Sequence, residues 1–435
     1  DRMSLGLPVA YLFGLLLIHV PGAAAELVAG DRLGDADYTA LGIRFTAIAA
    51  LCFLAGVYLA RRSRVPLPKP REVDHQRFSV FCLFGGWILI YGLSPIAKLP
   101  SIGAAIEAGG AIWTLGVMLA LRDAVRRGEP GSIVTWLCAL GVYPTLMLLL
   151  GGFLSYGSAA AIAVLSILTI SVRSPRRLAL GIVVFSFIGL TVFVNWFAHR
   201  DDIRDSVWHD DPMSQRVAVV SDAMQGFHWF DLWDPIQQNA LDQRLNQNYF
   251  EGLAATRLQE GRVNYLYGES LWDGVLGLIP RIIWPDKPVI AGSPEIVSEM
   301  TGLVLDPNTS FGVGNVMEFQ INFGTPGIVV GFLALGWALG LLDRKAAAAE
   351  QTGDLGRLFI VFLAGMALID PSGSLVEVGE GLAAAMVAGY GWRWAWYEWL
   401  NHFPSVPSSA RQRVPPVRRR QVWTPRQGED LSRRS

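Results

Sequence analysis

Cysteine is scarce in this chain of 435 residues. The three cysteines, Cys52, Cys82 and Cys138, all lie inside apolar runs. The longest polar segment therefore contains no disulfide, and no cysteines or histidines have the spacing of a zinc site. The sequence also has no P-loop and no dinucleotide fingerprint, which argues against those two binding classes. We expect neither a metal ion nor a cofactor.

Charged residues are also few. They make up 17% of the chain, whereas hydrophobic residues make up 52%. This balance excludes an ordinary soluble protein and predicts an all-α polytopic membrane protein. The net charge of −1 says nothing about partners, because the positions of the charges carry the information. We expect the lipid bilayer as the main partner and no nucleic acid.

Long apolar segments recur along the chain, and basic residues alternate between the loops that join them. The alternation predicts that both termini are cytoplasmic and that the long polar loop lies outside, in the periplasm. The sequence Ala23-Ala24-Ala25 resembles a signal-peptidase site, which would leave nine spans, but the weak charge before it favours a retained helix. We predict about ten transmembrane helices, at residues 5–25, 40–60, 77–97, 100–121, 132–151, 153–172, 178–197, 320–342, 357–375 and 379–397.

These segments divide the chain into four parts. Residues 1–197 form an N-terminal bundle of seven spans, and residues 198–319 form the outward loop. Residues 320–397 form a bundle of three spans, and the basic tail 398–435 is expected to be disordered. The candidate active site belongs to the loop.

The loop is acidic, so its few basic residues stand out. Between residues 198 and 314 it holds seventeen acids and eight bases. From Pro212 to Gly261 we expect two helices separated near Asp234-Pro235, the first ending in an aromatic cluster typical of a membrane interface. The second is rich in amides, which suit sugar hydroxyls, although an ordinary solvated helix has the same composition. Its amides are Gln237, Gln238, Asn239, Gln243, Asn246, Gln247 and Asn248.

Residues 268–288, GESLWDGVLGLIPRIIWPDKP, carry the strongest candidate. Between Gly274 and Pro285 every residue is apolar, Gly or Pro except Arg281. The run is too short to span a bilayer, which favours an interfacial or re-entrant element. A lone guanidinium there is costly unless an anion meets it. The alternative is an Arg that extends to the membrane surface beside an anchoring Trp284.

Polar groups also occur at the outward ends of two predicted spans. Asn315, Glu318 and Asn322 are spaced so that they share one helix face. They either line a cavity or pack against neighbouring helices. A buried acid such as Asp370 is a candidate general base, or it pairs with an arginine. Among the outward histidines, His228 is a further candidate base, although no triad-like or metal-ligand spacing supports it.

One pair of motifs resembles a known family. IPRIIWPDKP, followed by GNVMEFQINFGTPG, looks like the bacterial oligosaccharide-repeat-unit polymerases, the Wzy-type O-antigen and exopolysaccharide polymerases. These share an IPR-x-x-WP-x-KP stretch and an E-x-x-x-NFG-x-x-G element. RLNQNYFEGL, upstream, fits the same pattern. The resemblance covers residues 240–345, and the earlier spans match only as generic apolar helices.

The resemblance implies a multi-pass glycosyltransferase of GT-C-like fold with a periplasmic active site. Its substrate would be an undecaprenyl-diphosphate-linked oligosaccharide, and a flippase and a chain-length regulator would belong to the same pathway. Two rival functions stay open: a ligase similar to the O-antigen ligases, and a flippase for the lipid-linked glycan.

By motif position the resemblance implies roles for Arg281, Lys287, Glu318 and Asn322, and more loosely for Arg244, whereas the other candidates below come from the residues alone. Guanidinium groups would stabilise the developing charge of the leaving diphosphate, and an acid or a histidine would deprotonate the acceptor hydroxyl. The catalytic candidates are Glu318, Asp370 and His228. The substrate-binding candidates are Arg281, Lys287, Arg244, Arg257, Arg262, Asn322 and Trp284.

Overall fold

The computed structural model describes most of the chain, and the described part is helical without a strand. The prediction of an all-α protein is therefore confirmed at this level. Arg281 and the basic tail from residue 403 lie outside the described residues. The structure describes residues 4–30, 36–63, 65, 75–89, 102–151, 164, 166, 174–209, 211–279, 283–284, 286–287, 293–305 and 312–402.

Fourteen helices account for almost all of these residues. The first six are α1 (Leu7–Ala29), α2 (Ala36–Arg62), α3 (His75–Trp87), α4 (Ile102–Arg127), α5 (Pro130–Gly151) and α6 (Pro175–Trp208). Five shorter helices follow: α7 (Met213–Gln225), α8 (Pro235–Leu245), α9 (Gln247–Gln259), α10 (Glu269–Gly277) and α11 (Ser293–Thr301). The chain returns to the bundle through α12 (Asn315–Thr352), α13 (Leu355–Ala367) and α14 (Leu375–His402).

Five helices in the described part are long and apolar enough to cross a bilayer: Leu7–Ala29, Ala36–Arg62, Ala108–Arg127, Ala179–Val207 and Asn315–Thr352. A multi-pass membrane protein is supported, whereas the predicted number of ten spans is not established. Most of the predicted span 153–172 lies outside the described residues. The predicted span 357–375 is helical only to Ala367, and α13, with 13 residues, is roughly 20 Å long.

Glycines bring the backbones of α2 and α12 close together. A Cβ added at Gly336 would lie 2.2 Å from the carbonyl oxygen of Phe53, and one at Gly56 would lie 2.3 Å from that of Leu333. Small residues allow such close approach in membrane helices, where packing replaces the hydrophobic effect as the driving force. The aromatic core beside this crossing contains Tyr11, whose ring stacks on Phe53 at 4.7 Å between centroids.

Replacing Gly336 with Leu is expected to separate α2 from α12. The new side chain would meet backbone atoms, which cannot rotate away, so we expect a loss of about 3 kcal/mol or more of stability. Thermal unfolding in detergent, followed by size-exclusion chromatography, measures it. Gly141→Leu is the matched control, since a Cβ there meets no atom within 4 Å in the described structure. Equal melting temperatures of the two variants would contradict this account of the crossing.

The polar segment folds into more helices than expected. Two were predicted between Pro212 and Gly261, and the structure has three, because α8 ends at Leu245 and α9 begins at Gln247. The aromatic cluster was predicted at the end of a helix, and it lies instead in the non-helical stretch 226–234. The predicted break at Asp234-Pro235 is present, since Asp234 accepts a hydrogen bond from Ile236 N and caps α8.

Helices α8 and α9 lie directly on α1 and α2. A Cβ at Gly42 would overlap the backbone of Asn248, and one at Gly252 would overlap that of Tyr38. We call the end of the bundle that carries these contacts the loop side. At the opposite end, Asp343 of α12 accepts hydrogen bonds from Leu5, Gly6 and Leu7 N, which are donors at the start of α1.

Candidate functional site

Helix α12 is kinked close to its loop-side end. Phe323 and Gly324 have non-helical dihedral angles, and Gly324 has a φ of 66° that favours glycine. The kink frees helical carbonyl groups, which must find other donors inside a membrane bundle. Leu266 N donates to Ile321 O at 3.0 Å and meets part of that need. The NFG sequence therefore marks a break in a membrane helix.

Asn322 fastens the segment before α10 to this kink. Its Oδ1 accepts from Gly268 N at 2.9 Å, and its Nδ2 donates to Ser270 Oγ and to Glu318 O, both at 2.7 Å. The side chain is fully buried. Asn322, predicted to bind substrate, thus holds protein groups with both ends of its amide. Its role in this structure is to position the segment that leads to Arg281.

Asn315 serves the neighbouring bend in the same way. Its Oδ1 accepts from the Tyr11 hydroxyl at 2.7 Å, and its Nδ2 donates to Gly373 O at 3.0 Å. The shared helix face predicted for Asn315, Glu318 and Asn322 is present, and all three side chains are buried. The sequence left open whether this stripe lines a cavity or packs against neighbouring helices. Both asparagines pack against neighbouring segments.

The carboxyl group of Glu318 is only partly hydrogen-bonded. Its Oε2 accepts from Leu375 N at 2.7 Å, and the Ser270 hydroxyl is a second donor close to the carboxyl group, whose Oε1 is buried without a well-formed hydrogen bond among the described residues. Glu377 and Asp273 are close enough to act on it electrostatically, and both carry the same charge. A buried carboxyl group with one unused oxygen can accept or hold a proton. Glu318, the predicted general base, is therefore the one residue of this stripe that can still accept a proton.

The bend between α13 and α14 reaches Glu318 through the hydrogen bond from Leu375 N. Asp370 Oδ1 accepts from Ser372 N at 3.0 Å and from Ser372 Oγ at 2.6 Å, so this candidate base shapes the bend. Ser374 and Glu377 form a capping box, in which each backbone N–H donates to the other side chain. Ser293 Oγ also donates to Glu377 Oε1 at 3.2 Å, which brings α11 to the same place.

Lys287 is a buried cation that pairs with Glu380 of α14. It is 3% exposed, and its Nζ lies 3.1 Å from Oε1 of Glu380 and 3.5 Å from the carbonyl oxygen of Ile279. Its backbone N–H donates to Trp284 O, which places the predicted Trp284 in the turn leading to the lysine. Glu380 itself is about half exposed, so the pair sits where a buried cation meets the surface.

An apolar groove lies between α14 and the segment that begins with α10. Helix α10 approaches α14 closely, since a Cβ at Gly379 would lie 2.4 Å from Gly274 O. Glu380, Ala383 and Val387 share one face of α14, so the ion pair lies one turn before the part of this helix that lines the groove. It has a volume of about 450 Å³ and is lined by Leu278, Ile283, Leu382, Ala383, Met386 and Val387.

Four predicted site residues lie elsewhere. His228 is exposed in the stretch 226–234, which is held to α6 by its backbone bonds with Asn195. Arg262 is exposed and pairs with Glu260 at 2.8 Å. Arg257 packs on Gly302, just beyond the last turn of α11, where a cation is favourable. Arg244 lies near Arg200 and Arg204 of α6. The structure therefore does not bring these four to Glu318.

A buried polar network on α1, α2 and α9 was missed by the sequence reasoning. Asn248 Oδ1 lies 3.0 Å from Nδ1 of His19 and accepts from Thr46 Oγ1 at 3.0 Å. Glu251 Oε1 lies 3.5 Å from Nε2 of His19, and burial raises the pKa of Glu251 well above its usual range. The signal that could have predicted this network was His19, a lone histidine in the first apolar run.

The amides of α8 and α9 mostly face inward. Gln237, Gln238, Asn246, Gln247 and Asn248 are buried, so neither sugar binding at a surface nor a solvated helix describes them. Asn246 Nδ2, for example, contacts Asp242, Thr39 and Glu26 oxygens at 2.7 to 3.3 Å. Composition predicted polarity correctly but not which side the polar groups face.

Within the described ranges, no group of three or more His, Cys, Asp or Glu side chains could hold a metal ion. A scan against models of protein families, a search of curated proteins and a search of solved structures each found no match to this chain.

Proposed function

We propose that this protein is a glycosyltransferase that polymerises oligosaccharide units linked to undecaprenyl diphosphate. The observation that carries the proposal is the apolar groove lined by α14 and the segment that begins with α10. Glu380, which pairs with the buried Lys287, lies one turn of α14 before Ala383, a residue of the groove lining. An amphiphile with a long hydrocarbon chain and an anionic head matches this arrangement, and a polyprenyl diphosphate is such a molecule.

The resemblance of the IPRIIWPDKP and NFG motifs to the repeat-unit polymerases supports the same substrate. In this proposal the polyprenyl chain occupies the groove, and the diphosphate meets Lys287 and Arg281. Cations that are held in place before the reaction stabilise the charge that develops on a leaving diphosphate. The loop side would face the periplasm, as the alternation of basic residues predicts.

Glu318 is the proposed general base. Transfer forms a bond between an acceptor hydroxyl oxygen and the anomeric carbon and breaks the bond from that carbon to the diphosphate. The acceptor proton passes to the carboxylate of Glu318, and the diphosphate leaves with the bonding electron pair. The unused Oε1 atom is the one available for this proton. Asp370 and His228 are less suited, because Asp370 shapes the bend and His228 lies on another part of the loop.

The proposal predicts that filling the groove stops polymerisation. Purified protein given only lipid-linked repeat units should make longer chains without any sugar nucleotide. Val387→Trp should reduce the product by tenfold or more, since the indole would occupy the space of the hydrocarbon chain. Val183→Trp is the matched control, because Val183 is also an exposed valine on a membrane helix, α6.

Gel electrophoresis of the lipid-linked products measures chain length. Equal products from the two Trp variants would remove the groove from the mechanism. If wild-type protein left repeat units unchanged but transferred preformed long glycan to a lipid acceptor, the ligase function would replace the polymerase. Accumulation of single repeat units on the cytoplasmic side of a deletion strain would instead indicate a flippase.

A further inference from the structure

A cleft separates the last turns of α6 from α7. Its volume is about 530 Å³, which falls in the range of roughly 300–1,000 Å³ that is usual for small-molecule sites. The two helices lie side by side, and a Cβ at Gly226, just after α7, would lie 4.0 Å from the ring of His199. The cleft is lined by His199, Asp202, Asp205, Ser206, His209, Asp211, Gln215, Val219, Asp222 and Ala223.

Four carboxylates line this cleft, and no lysine or arginine of the described structure does. Asp202 and Asp205 come from α6, Asp211 from the connection and Asp222 from α7. Asp222 accepts from Gln225 Nε2 at 3.1 Å, whereas the carboxylates of the other three have no hydrogen bond or ion pair with a described residue. Like charges held along one cleft repel each other unless a cation lies between them.

A buried hydroxyl group also faces the cleft. Ser206 is 6% exposed, and its Oγ atom has no hydrogen-bond partner among the described residues. Buried polar groups are nearly always hydrogen-bonded, so an unpaired one in the wall of a cavity points to a ligand that supplies the partner. Ser206 follows Asp202 by one turn of α6, so a single donor group in the cleft can reach both side chains.

The two histidines add further acceptors. Nδ1 of His199 lies 3.0 Å from Asn195 O, and Nδ1 of His209 lies 2.7 Å from Asp205 O. A carbonyl oxygen only accepts, so Nδ1 carries the proton, and Nε2 of the neutral ring is an acceptor. Acceptors therefore exceed donors along the cleft. An occupant that matches it is positively charged and rich in N–H groups.

The arrangement of the acids favours an organic cation over a metal ion. In the parts of the chain that the structure describes, no three or more His, Cys, Asp or Glu side chains come together closely enough to hold a metal. The carboxylates follow one another instead, since Asp202 and Asp205 are separated by a rise of about 4.5 Å along α6. A linear polyamine, whose ammonium groups are spaced along a flexible chain, matches such a row.

We propose that the cleft between α6 and α7 binds a linear polyamine. Its ammonium groups pair with Asp202 and Asp205, and one of them donates to Ser206 Oγ. The basic tail of the chain is not the expected occupant, because the alternation of basic residues predicts it on the opposite side of the membrane. The site lies on α6 and α7, whereas the groove lies on α10 and α14. Failure of this inference would leave the glycosyltransferase proposal intact.

Isothermal titration calorimetry of the full chain in detergent, at low ionic strength, tests the site. The probes are spermidine, butylamine, magnesium chloride and maltose, and we expect spermidine to bind at least tenfold more tightly than each of the others. Asp202→Asn and Asp205→Asn should each weaken spermidine about tenfold, and Ser206→Ala about fivefold, the effects of one charged and one weaker hydrogen bond. Asp201→Asn is the matched control. It makes the same change at an acid of α6 that pairs with Arg200 and does not line the cleft, so it should have less than a twofold effect.

Each outcome decides the inference. Equal spermidine affinity of wild type, Asp202→Asn and Asp205→Asn overturns it, and so does the absence of spermidine binding. Equal weakening by Asp201→Asn also overturns it, because net charge alone would then account for the attraction. Tighter binding of magnesium or of maltose than of spermidine would assign the cleft to a metal ion or to a sugar instead. Asp202 and Asp205 are exposed, so both variants should fold. If the melting temperature of either falls, Asp222→Asn on α7 takes its place with the same expected weakening.

Discussion

Replacing Lys287 with Met is expected to abolish chain extension. The buried ammonium group would no longer meet the diphosphate, at a cost of about 2–4 kcal/mol of transition-state stabilisation. This corresponds to roughly a 30-fold loss of rate or more. Met preserves the length of the side chain and its apolar contacts. The rate of polymer formation by purified protein, normalised to the amount of folded protein, measures the effect.

Glu380→Gln separates the two roles that Lys287 can have. If the lysine only pairs with Glu380, whose Oε1 atom lies 3.1 Å from Nζ, removing either charge should have similar effects. If the lysine binds diphosphate, Glu380→Gln should keep most of the activity, since it removes a competing carboxylate. Matching losses in the two variants would count against the proposed role of Lys287. The exposed position of Glu380 makes its own loss tolerable for folding.

The second large effect is expected at Glu318. Glu318→Gln keeps an oxygen that accepts from Leu375 N, so the bend should stay in place. The amide cannot take a proton from the acceptor hydroxyl, and the rate should fall by about a hundredfold or more. Glu318→Ala should also lower the melting temperature, because Leu375 N loses its acceptor. Measured rates and melting temperatures of both variants test these effects.

A structural role alone gives a different pattern. Glu318→Gln would then retain the wild-type rate, and Glu318→Ala would lose activity only in proportion to its loss of folded protein. Asp273→Asn is a useful control. Asp273 is a neighbouring carboxylate that acts on Glu318 only through its charge, so its loss should change the rate far less.

Periodicity in the sequence predicted which residues share a face but not what covers that face. Asn315, Glu318 and Asn322 do lie on one side of α12, as their spacing indicates. Their partners, Gly373, Leu375 and Gly268, lie 54 to 58 residues away in the chain. Contacts at that separation depend on the packing of α10 and α14, which periodicity does not report.

Local signals also predicted some breaks in the loop helices and missed others. Asp234-Pro235 carries its own cap and a helix-starting proline, so the boundary could be read from neighbouring residues. The break at Asn246 depends instead on Glu26 and Thr39, which belong to α1 and α2. Asn248 likewise lies inside against His19 and Thr46, whereas Gln237 and Gln238 bond to the nearby stretch 229–232. Their burial follows from tertiary packing rather than from composition.

The bonds of α1 to the second half of the chain have a consequence for the synthesis of the protein. His19 bonds with Asn248, which follows it by 229 residues in the chain. Gly6 N donates to Asp343, which follows it by 337 residues. At ordinary rates of translation the ribosome needs roughly 10 to 50 s to reach Asn248 after His19. During that time the first helix is already in the membrane, but the residues that later bond to its polar groups have not yet been synthesised. Its permanent place is set only when the second half of the chain arrives, so shortened chains that end before residue 248 should be early substrates for membrane quality control.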